Sequence, residues 1–208
     1  MTDNFALTQK VTPLYHFEKS SFTDDEISLY TKAGEDILRN NQFAVVTMAG
    51  GQGSRLGYKG PKGTYMLDLK PTKKSLFQIM CEDIKMAFKK YNVIIPWFIM
   101  TSEENNLATV DFFKKNNFWD YPQDYVFFFK QQQLPIISVD KNLLLQEPYL
   151  IREASNGNGN VFVSLKNSGI IDYMDKLGIK WVSFGGIDNV LLKNVDPLLL
   201  GLTVKSNE

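Results

Sequence analysis

The sequence predicts an α/β fold on a mostly parallel, doubly wound sheet, and three observations predict it. Short apolar runs alternate along the chain with stretches of helical periodicity, as strand–helix–strand units require. The runs Phe43–Met48, Val93–Met100 and Tyr125–Phe129 are apolar at nearly every position, which suits strands covered on both faces. Glycine-rich stretches follow such runs, and an open α/β sheet binds its ligands at the carboxyl ends of its strands.

The first element is helical. Thr23-x-x-Glu26 is a capping-box pattern, and Ile27, Tyr30, Gly34, Ile37 and Leu38 keep helical spacing after it. The segment reads as part of an N-terminal helical arm over residues 1–40, leading into a core over residues 41–208. Phe43–Met48 is the first strand. Ser75-x-x-Gln78 caps a second helix, with Phe77, Met80, Ile84 and Ala87 on one face. Val93–Met100 is the next strand, and Pro96 is assigned to a bulge because proline donates nothing to a ladder. Ser102 caps a third helix that runs to Asn117, and Tyr125–Phe129 is another buried strand. Ile136–Gln146 alternates around Asp140-Lys141-Asn142 and suggests a hairpin. Ser155–Asn160 is a glycine–asparagine loop, followed by one broken or two short helices up to Gly178. Lys180–Val190 supplies a last strand ending in Gly-Gly-Ile-Asp, and Pro197 opens a short helix.

Composition narrows the chemistry. A chain of 208 residues fits one domain of ordinary to large size. Lys plus Arg equals Asp plus Glu at 23 each, which argues against sequence-independent nucleic-acid binding. One cysteine, Cys81, permits no internal disulfide and points to a reducing compartment. It reads as a small buried hydrophobe rather than a nucleophile. One histidine, His16, lies in a polar stretch near the N-terminus, so a Ser-His-Asp triad or a Cys/His zinc site is not expected. No apolar stretch has membrane-spanning length and no signal-peptide core opens the chain, so a cytoplasmic protein without a membrane partner is expected.

The densest chemical signal is "AGGQGSRLGYKGPKGTY", which begins at Ala49, directly after the first strand. Glycines let a backbone approach a ligand, and successive N–H groups form an anion-binding nest. Arg55 can fork two hydrogen bonds onto phosphate oxygens, and Lys62 adds a compact point charge. Together they suit a polyphosphate. A Walker A loop is not matched, because Lys62 is followed by Gly63 where that motif needs Ser or Thr. Gly51-x-Gly53 is followed by Leu56 where a dinucleotide fingerprint needs glycine, which weakens that reading without excluding it. A plain glycine-rich turn with solvated cations is the alternative.

"AGGQGSRLG" with "PKGTY" resembles the UDP-N-acetylhexosamine pyrophosphorylases, eukaryotic-type UDP-sugar nucleotidyltransferases. "SLFQI", "IPWFIMTS", "FFKQQQLP", "NGNG" and "IDN" followed by "DPLLLG" come in that family's order and spacing, so the resemblance covers residues 43–201. It implies a GT-A-like, Rossmann-like nucleotidyltransferase core. The activity it implies couples UTP with N-acetylglucosamine 1-phosphate to give UDP-N-acetylglucosamine and pyrophosphate, with Mg²⁺. UDP-glucose or broad UDP-sugar synthesis is the near alternative, and a non-catalytic nucleotide-binding piece is the distant one.

By the same resemblance, Gly50, Gly51, Gln52, Gly53 and Ser54 hold the nucleotide. Arg55 binds the β- and γ-phosphates and Lys62 bridges phosphates at the reacting centre. Gln131 contacts the uracil edge, against the alternative of a surface glutamine. Gly157 lies where backbone approaches the base, Asn158 and Asn189 contact the sugar, and Asp188 is one Mg²⁺ ligand. The family usually has Asp at position 156, Gly at 160 and Cys-Val before the Asp-Asn pair, where this chain has Asn156, Asn160 and Gly186-Ile187. Family members also run well past this length, so the sequence is expected to be an N-terminal part with most of the UTP site and part of the acceptor site lacking, which binds uridine nucleotides poorly and turns over little or not at all.

Overall fold

The structure is a computed structural model that describes residues 12–14 and 16–206. Helix α1 (Asp24–Arg39) begins as the sequence requires: Thr23 Oγ1 accepts from the Glu26 N–H, and the Thr23 N–H donates to Glu26 Oε2 at 2.8 Å. The part of the expected arm at residues 1–11 lies outside the described residues. Strand β1 (Phe43–Met48) follows, then a hairpin of β2 (Met66–Leu69) and β3 (Thr72–Ser75) that the sequence did not announce. Ser75 caps α2 (Leu76–Tyr91) by accepting from the Gln78 N–H, and Phe77, Met80, Ile84 and Ala87 are buried on its inner face.

Strand β4 (Trp97–Thr101) starts one residue after Pro96, which corrects the expected bulge. Pro96 needs no bulge because it stands outside the strand, where its carbonyl accepts from the Val45 N–H at 3.0 Å. Helix α3 (Asn106–Lys115) starts later than expected, and Ser102 Oγ caps the turn before it by accepting from the Asn105 N–H. Strand β5 (Val126–Lys130) leads into an antiparallel excursion larger than the single hairpin expected. It contains β6 (Gln133–Pro135), β7 (Leu145–Glu147), β8 (Leu150–Ile151) and β9 (Glu153–Ser155), with the expected turn at its tip, where Ile137 bridges Leu143. The glycine–asparagine loop therefore follows an antiparallel strand, not a strand of the parallel sheet. Two short helices come next, α4 (Val161–Asn167) and α5 (Ile170–Lys176), separated at Gly169 with φ of 72°. Strand β10 (Trp181–Gly186) and helix α6 (Pro197–Ser206) complete the described chain.

The parallel sheet has the order β10-β1-β4-β5. The chain moves outward from β1 to β5 on one side and returns to the other side at β10. Doubly wound sheets bind ligands at such a reversal, beyond the strand ends. The apolar runs alternate between two cores. Val45, Trp97, Ile99 and Val126 face α2, α3 and the α1–α6 pair; Ala44, Val46, Phe98, Met100 and Phe129 face α4 and α5. Burying each large side chain contributes about 1.5–3 kcal/mol, so two covered faces explain runs without polar alternation. Inside the first core the Trp97 indole N–H donates to Thr47 Oγ1 at 2.8 Å, satisfying both. No helix among the described residues is long and apolar enough to cross a membrane.

Helices α1 and α6 touch through glycines. A Cβ on Gly34 would fall 1.9 Å from the Pro197 carbonyl oxygen, and one on Gly201 would fall 1.7 Å from that of Tyr30. Gly34→Ala gains about 1 kcal/mol of helix propensity. The clash is with backbone, which cannot rotate away, so the helices must part, and overpacking of this kind costs about 1–3 kcal/mol more than it returns. At about 2–4 °C per kcal/mol for a chain of this size, a fall in melting temperature of roughly 2–12 °C is expected in thermal denaturation. Cys81 is fully buried, and burial pushes its thiol up to about 12. At pH 8 about one thiol in ten thousand is then ionised, and only the thiolate reacts. The native protein should resist iodoacetamide at pH 8 and react fully once unfolded; rapid native labelling would contradict the burial.

Candidate nucleotide site at the end of the first strand

Beyond Met48 the chain leaves the sheet through Ala49, whose N–H donates to the Met100 carbonyl at 2.8 Å. The loop then folds back on itself. The Gly53 N–H donates to the Gly60 carbonyl at 2.9 Å, and the Lys62 N–H donates to the Gly51 carbonyl at 3.1 Å. These two bonds clip residues 51–53 to residues 60–62 and pair Gln52 with Pro61. Between them lies a short 3-10 turn, Ser54–Leu56, with Ser54 and Arg55 exposed. The Gly53 amide is thus committed to the clip. Among the described residues, the N–H groups of Gly50, Gly51 and Gln52 take no part in the loop's backbone bonds, so these three are the candidate nest.

Lys62 is delivered by the return strand of the clip. Gly63 is pressed on Phe77 of α2: a Cβ there would lie 2.1 Å from the ring, which explains glycine at this position. The Lys62 side chain runs under the loop, its Nζ 3.8 Å from where a Gly51 Cβ would be. It meets Asp188 Oδ1 at 2.7 Å, with Lys62 only 12% exposed and Asp188 63% exposed. Asp188 arrives because β10 lies beside β1 and the Ile187 N–H donates to the Met48 carbonyl at 3.0 Å. Arg55, Lys62 and Asp188 share a cavity of about 340 Å³ whose wall includes Tyr65, Leu76 and Val190. Two cations face one carboxylate, and among the described residues Arg55 enters no ion pair.

The other flank carries Gln131. It is 6% exposed, which rules out a surface glutamine. Its N–H donates to the Thr101 carbonyl at 2.8 Å, its Nε2 donates to Ser155 Oγ at 2.7 Å, and its amide lies directly against Gly50. The Asn156 N–H donates to the Gln132 carbonyl, which carries the glycine–asparagine loop to the same edge. Gly157 has φ of 81°, in the region glycine tolerates, and Asn158 is exposed at the start of a 3-10 turn. Asn189 is exposed and shapes its own turn, its Oδ1 accepting from the Leu191 N–H.

Sequence reasoning missed the supports. Asn105 is fully buried and its Nδ2 donates to the carbonyls of Ala49, at 3.0 Å, and Gly51, at 3.3 Å. Ser155 and Thr101 hold Gln131. The only available signal was a polar cluster, Thr101-Ser102-Glu103-Glu104-Asn105-Asn106, after an apolar strand.

Among the described residues no three His, Cys, Asp or Glu side chains gather as a metal cage. Asp188 stands as a single exposed carboxylate beside the nest. Mg²⁺ is commonly held by one or two carboxylates together with phosphate oxygens and water, so this donor set fits a metal that arrives with a polyphosphate.

Residues 8–208 match the family model described as UTP–glucose-1-phosphate uridylyltransferase. Among curated proteins, UDP-N-acetylglucosamine diphosphorylase 2 of Arabidopsis thaliana is 37% identical over 190 residues, covering 86% of this chain and 38% of that protein. UDP-N-acetylglucosamine pyrophosphorylase of Saccharomyces cerevisiae is 37% identical over 180 residues, covering 85% and 38% respectively. The crystal structure of the uridine diphosphate N-acetylglucosamine pyrophosphorylase from Trypanosoma brucei superposes with a TM-score of 0.80 at 28% identity, over 88% of this chain and 39% of that one. A UDP-glucose pyrophosphorylase from Leishmania major shares the fold alone, at 19% identity and a TM-score of 0.72. The chain thus spans well under half the length of the relatives it matches. It belongs to the UTP–glucose-1-phosphate uridylyltransferase family, and the curated relatives it matches at 37% identity are a UDP-N-acetylglucosamine diphosphorylase and a UDP-N-acetylglucosamine pyrophosphorylase.

Proposed function

We propose that the chain carries the UTP side of an enzyme that joins UTP and N-acetylglucosamine 1-phosphate into UDP-N-acetylglucosamine and pyrophosphate. The observation that carries this reading is convergence. Three amides of the glycine loop, two cations and a buried, clamped glutamine meet where β1 ends. The nest and Lys62 suit the α- and β-phosphates, Arg55 suits the β- and γ-phosphates, and Gln131 suits the imide edge of uracil. Asn158 and Asn189 are assigned to the sugar, and Gly157 to the approach of backbone to the base.

The chemistry asks little of acids and bases. A sugar 1-phosphate has a second pKa near 6, so its attacking oxygen is already anionic at neutral pH. His16, whose contacts are Leu14 and Glu18, is not needed. The task is to bring two anions into line and neutralise charge on the departing pyrophosphate. Lys62 does this beside the α-phosphate and Arg55 at the leaving group. Mg²⁺, when bound at Asp188, supplies Lewis-acid charge neutralisation on the phosphate oxygens. Asp188 meanwhile holds the Lys62 ammonium within reach of the nest. A buried unreactive thiol is compatible with the cytosol, where we place the protein.

Calorimetric titration with UTP checks the binding half, and pyrophosphate exchange from UDP-N-acetylglucosamine, UDP-N-acetylgalactosamine and UDP-glucose checks the chemistry and ranks the sugars. Arg55→Ala removes charge-assisted bonds worth about 1.5–3 kcal/mol, so UTP affinity should fall roughly ten- to a hundredfold with the melting temperature unchanged. Unaltered affinity would remove Arg55 from the site. Mg²⁺ should strengthen UTP binding to the wild-type chain, and Asp188→Asn should abolish most of that gain. A variant with the full Mg²⁺ response would show that Asp188 holds no metal.

A further inference from the structure

The glycine loop offers its amides only if its peptide planes face the right way, and one residue outside the loop fixes two of them. In a planar trans peptide the C=O and the N–H of the same unit point in opposite directions. The Ala49 carbonyl accepts from Asn105 Nδ2 at 3.0 Å, so the Gly50 N–H of that unit points away from Asn105. The Gly51 carbonyl accepts from Asn105 Nδ2 at 3.3 Å and from the Lys62 N–H at 3.1 Å, so the Gln52 N–H also points away. Two of the three amides of the nest are therefore aimed by one carboxamide.

That carboxamide is itself held. Asn105 Oδ1 accepts from the Ser102 N–H at 2.8 Å, and the Asn105 N–H donates to Ser102 Oγ at 3.2 Å. This reciprocal pair sits in the turn before α3, directly after β4, and Asn105 is fully buried. The clip bond from Lys62 reaches only the Gly51 carbonyl. The clip alone leaves the Ala49–Gly50 peptide without its second restraint.

We propose that Asn105 is a positioning residue for the polyphosphate of the nucleotide: it touches no ligand atom and acts by turning the Gly50 and Gln52 amides toward the phosphates. The proposal rests on the reading of the loop as the UTP phosphate site. Its signature is selective. Loss of Asn105 weakens ligands in proportion to the phosphates they carry and spares the nucleoside, which is held on the Gln131 flank.

The test titrates the full chain and two variants with uridine, UMP and UTP. Asn105→Ser keeps a short polar group for the turn but cannot reach both carbonyls; Asn105→Leu keeps the volume and removes the donor. For either variant UTP affinity is expected to fall roughly tenfold or more, the factor that about 1.4 kcal/mol commands, while uridine affinity stays within about twofold. Equal losses for uridine and UTP, or no loss at all, would overturn the role. If the wild-type chain itself binds UTP no better than uridine, the phosphate-site reading fails and the inference with it. An independent arm needs no variant: in the wild-type protein the Asn105 side-chain amide resonances should shift on adding UTP and stay in place on adding uridine, and the absence of that difference would count against the proposal.

Discussion

The structure turns on a small antiparallel clip, the pair of bonds between residues 51–53 and 60–62. A polyanion site needs backbone donors aimed outward, and a backbone that has just left a sheet has no such preference by itself. The clip imposes one. It consumes the Gly53 and Lys62 amides, leaves those of Gly50, Gly51 and Gln52, and swings Lys62 back beneath the loop. Without it the glycines would be only a permissive turn, because the same lack of Cβ that allows close approach also raises the entropy lost on ordering.

The clip is useful only because of where the sheet puts it. β1 is central and parallel to β10, so the chain that follows β10 passes beside the chain that follows β1. That adjacency, not proximity in sequence, joins Lys62 to Asp188. As a stabilising contact the pair is modest, since one partner is 63% exposed and pairs open to solvent contribute about 0–1 kcal/mol. Its value lies in holding the lysine, which is nearly buried and would otherwise bear an uncompensated charge.

Much of the fold was legible because its signals are local. Apolar runs at β1, β4 and β5 and the polar caps Thr23 and Ser75 are read within a few residues; β1, β5 and both caps appear within a residue of where the sequence put them, and β4 begins four residues later than its apolar run. The β2–β3 hairpin was not legible because it lies off the main sheet and is mostly exposed, so Met66–Ser75 carries no burial pattern. Pro96 misled because an apolar run does not mark where pairing begins. In the candidate site, the chemistry of the glycines, Arg55 and Lys62 pointed to one place, and the structure brings Arg55 and Lys62 to one cavity with Lys62 against the glycine loop. Asn105 was not, because its partner Ala49 is 56 residues away and nothing near it in sequence calls for a buried amide.

For the proposed phosphate site, the charge arrangement reconciles a paired, nearly buried lysine with affinity for a polyanion. Two cations with no counter-charge would repel each other, and a nearly buried lysine left without a partner would carry a costly unpaired charge. Asp188 removes that cost without removing the positive field, since two cations against one carboxylate leave a net charge of the right sign. On the proposed reading, a triphosphate, with several negative charges and acceptor oxygens, would compete with one exposed carboxylate for the same ammonium. On the same reading, the carboxylate released would lie near phosphate oxygens, a donor set of the kind a hard divalent cation prefers. The same side chain would then stand in for the phosphate before binding and complement it afterwards, which gives the proposed site a physical reason for a single acid, rather than a cage of them, beside the loop.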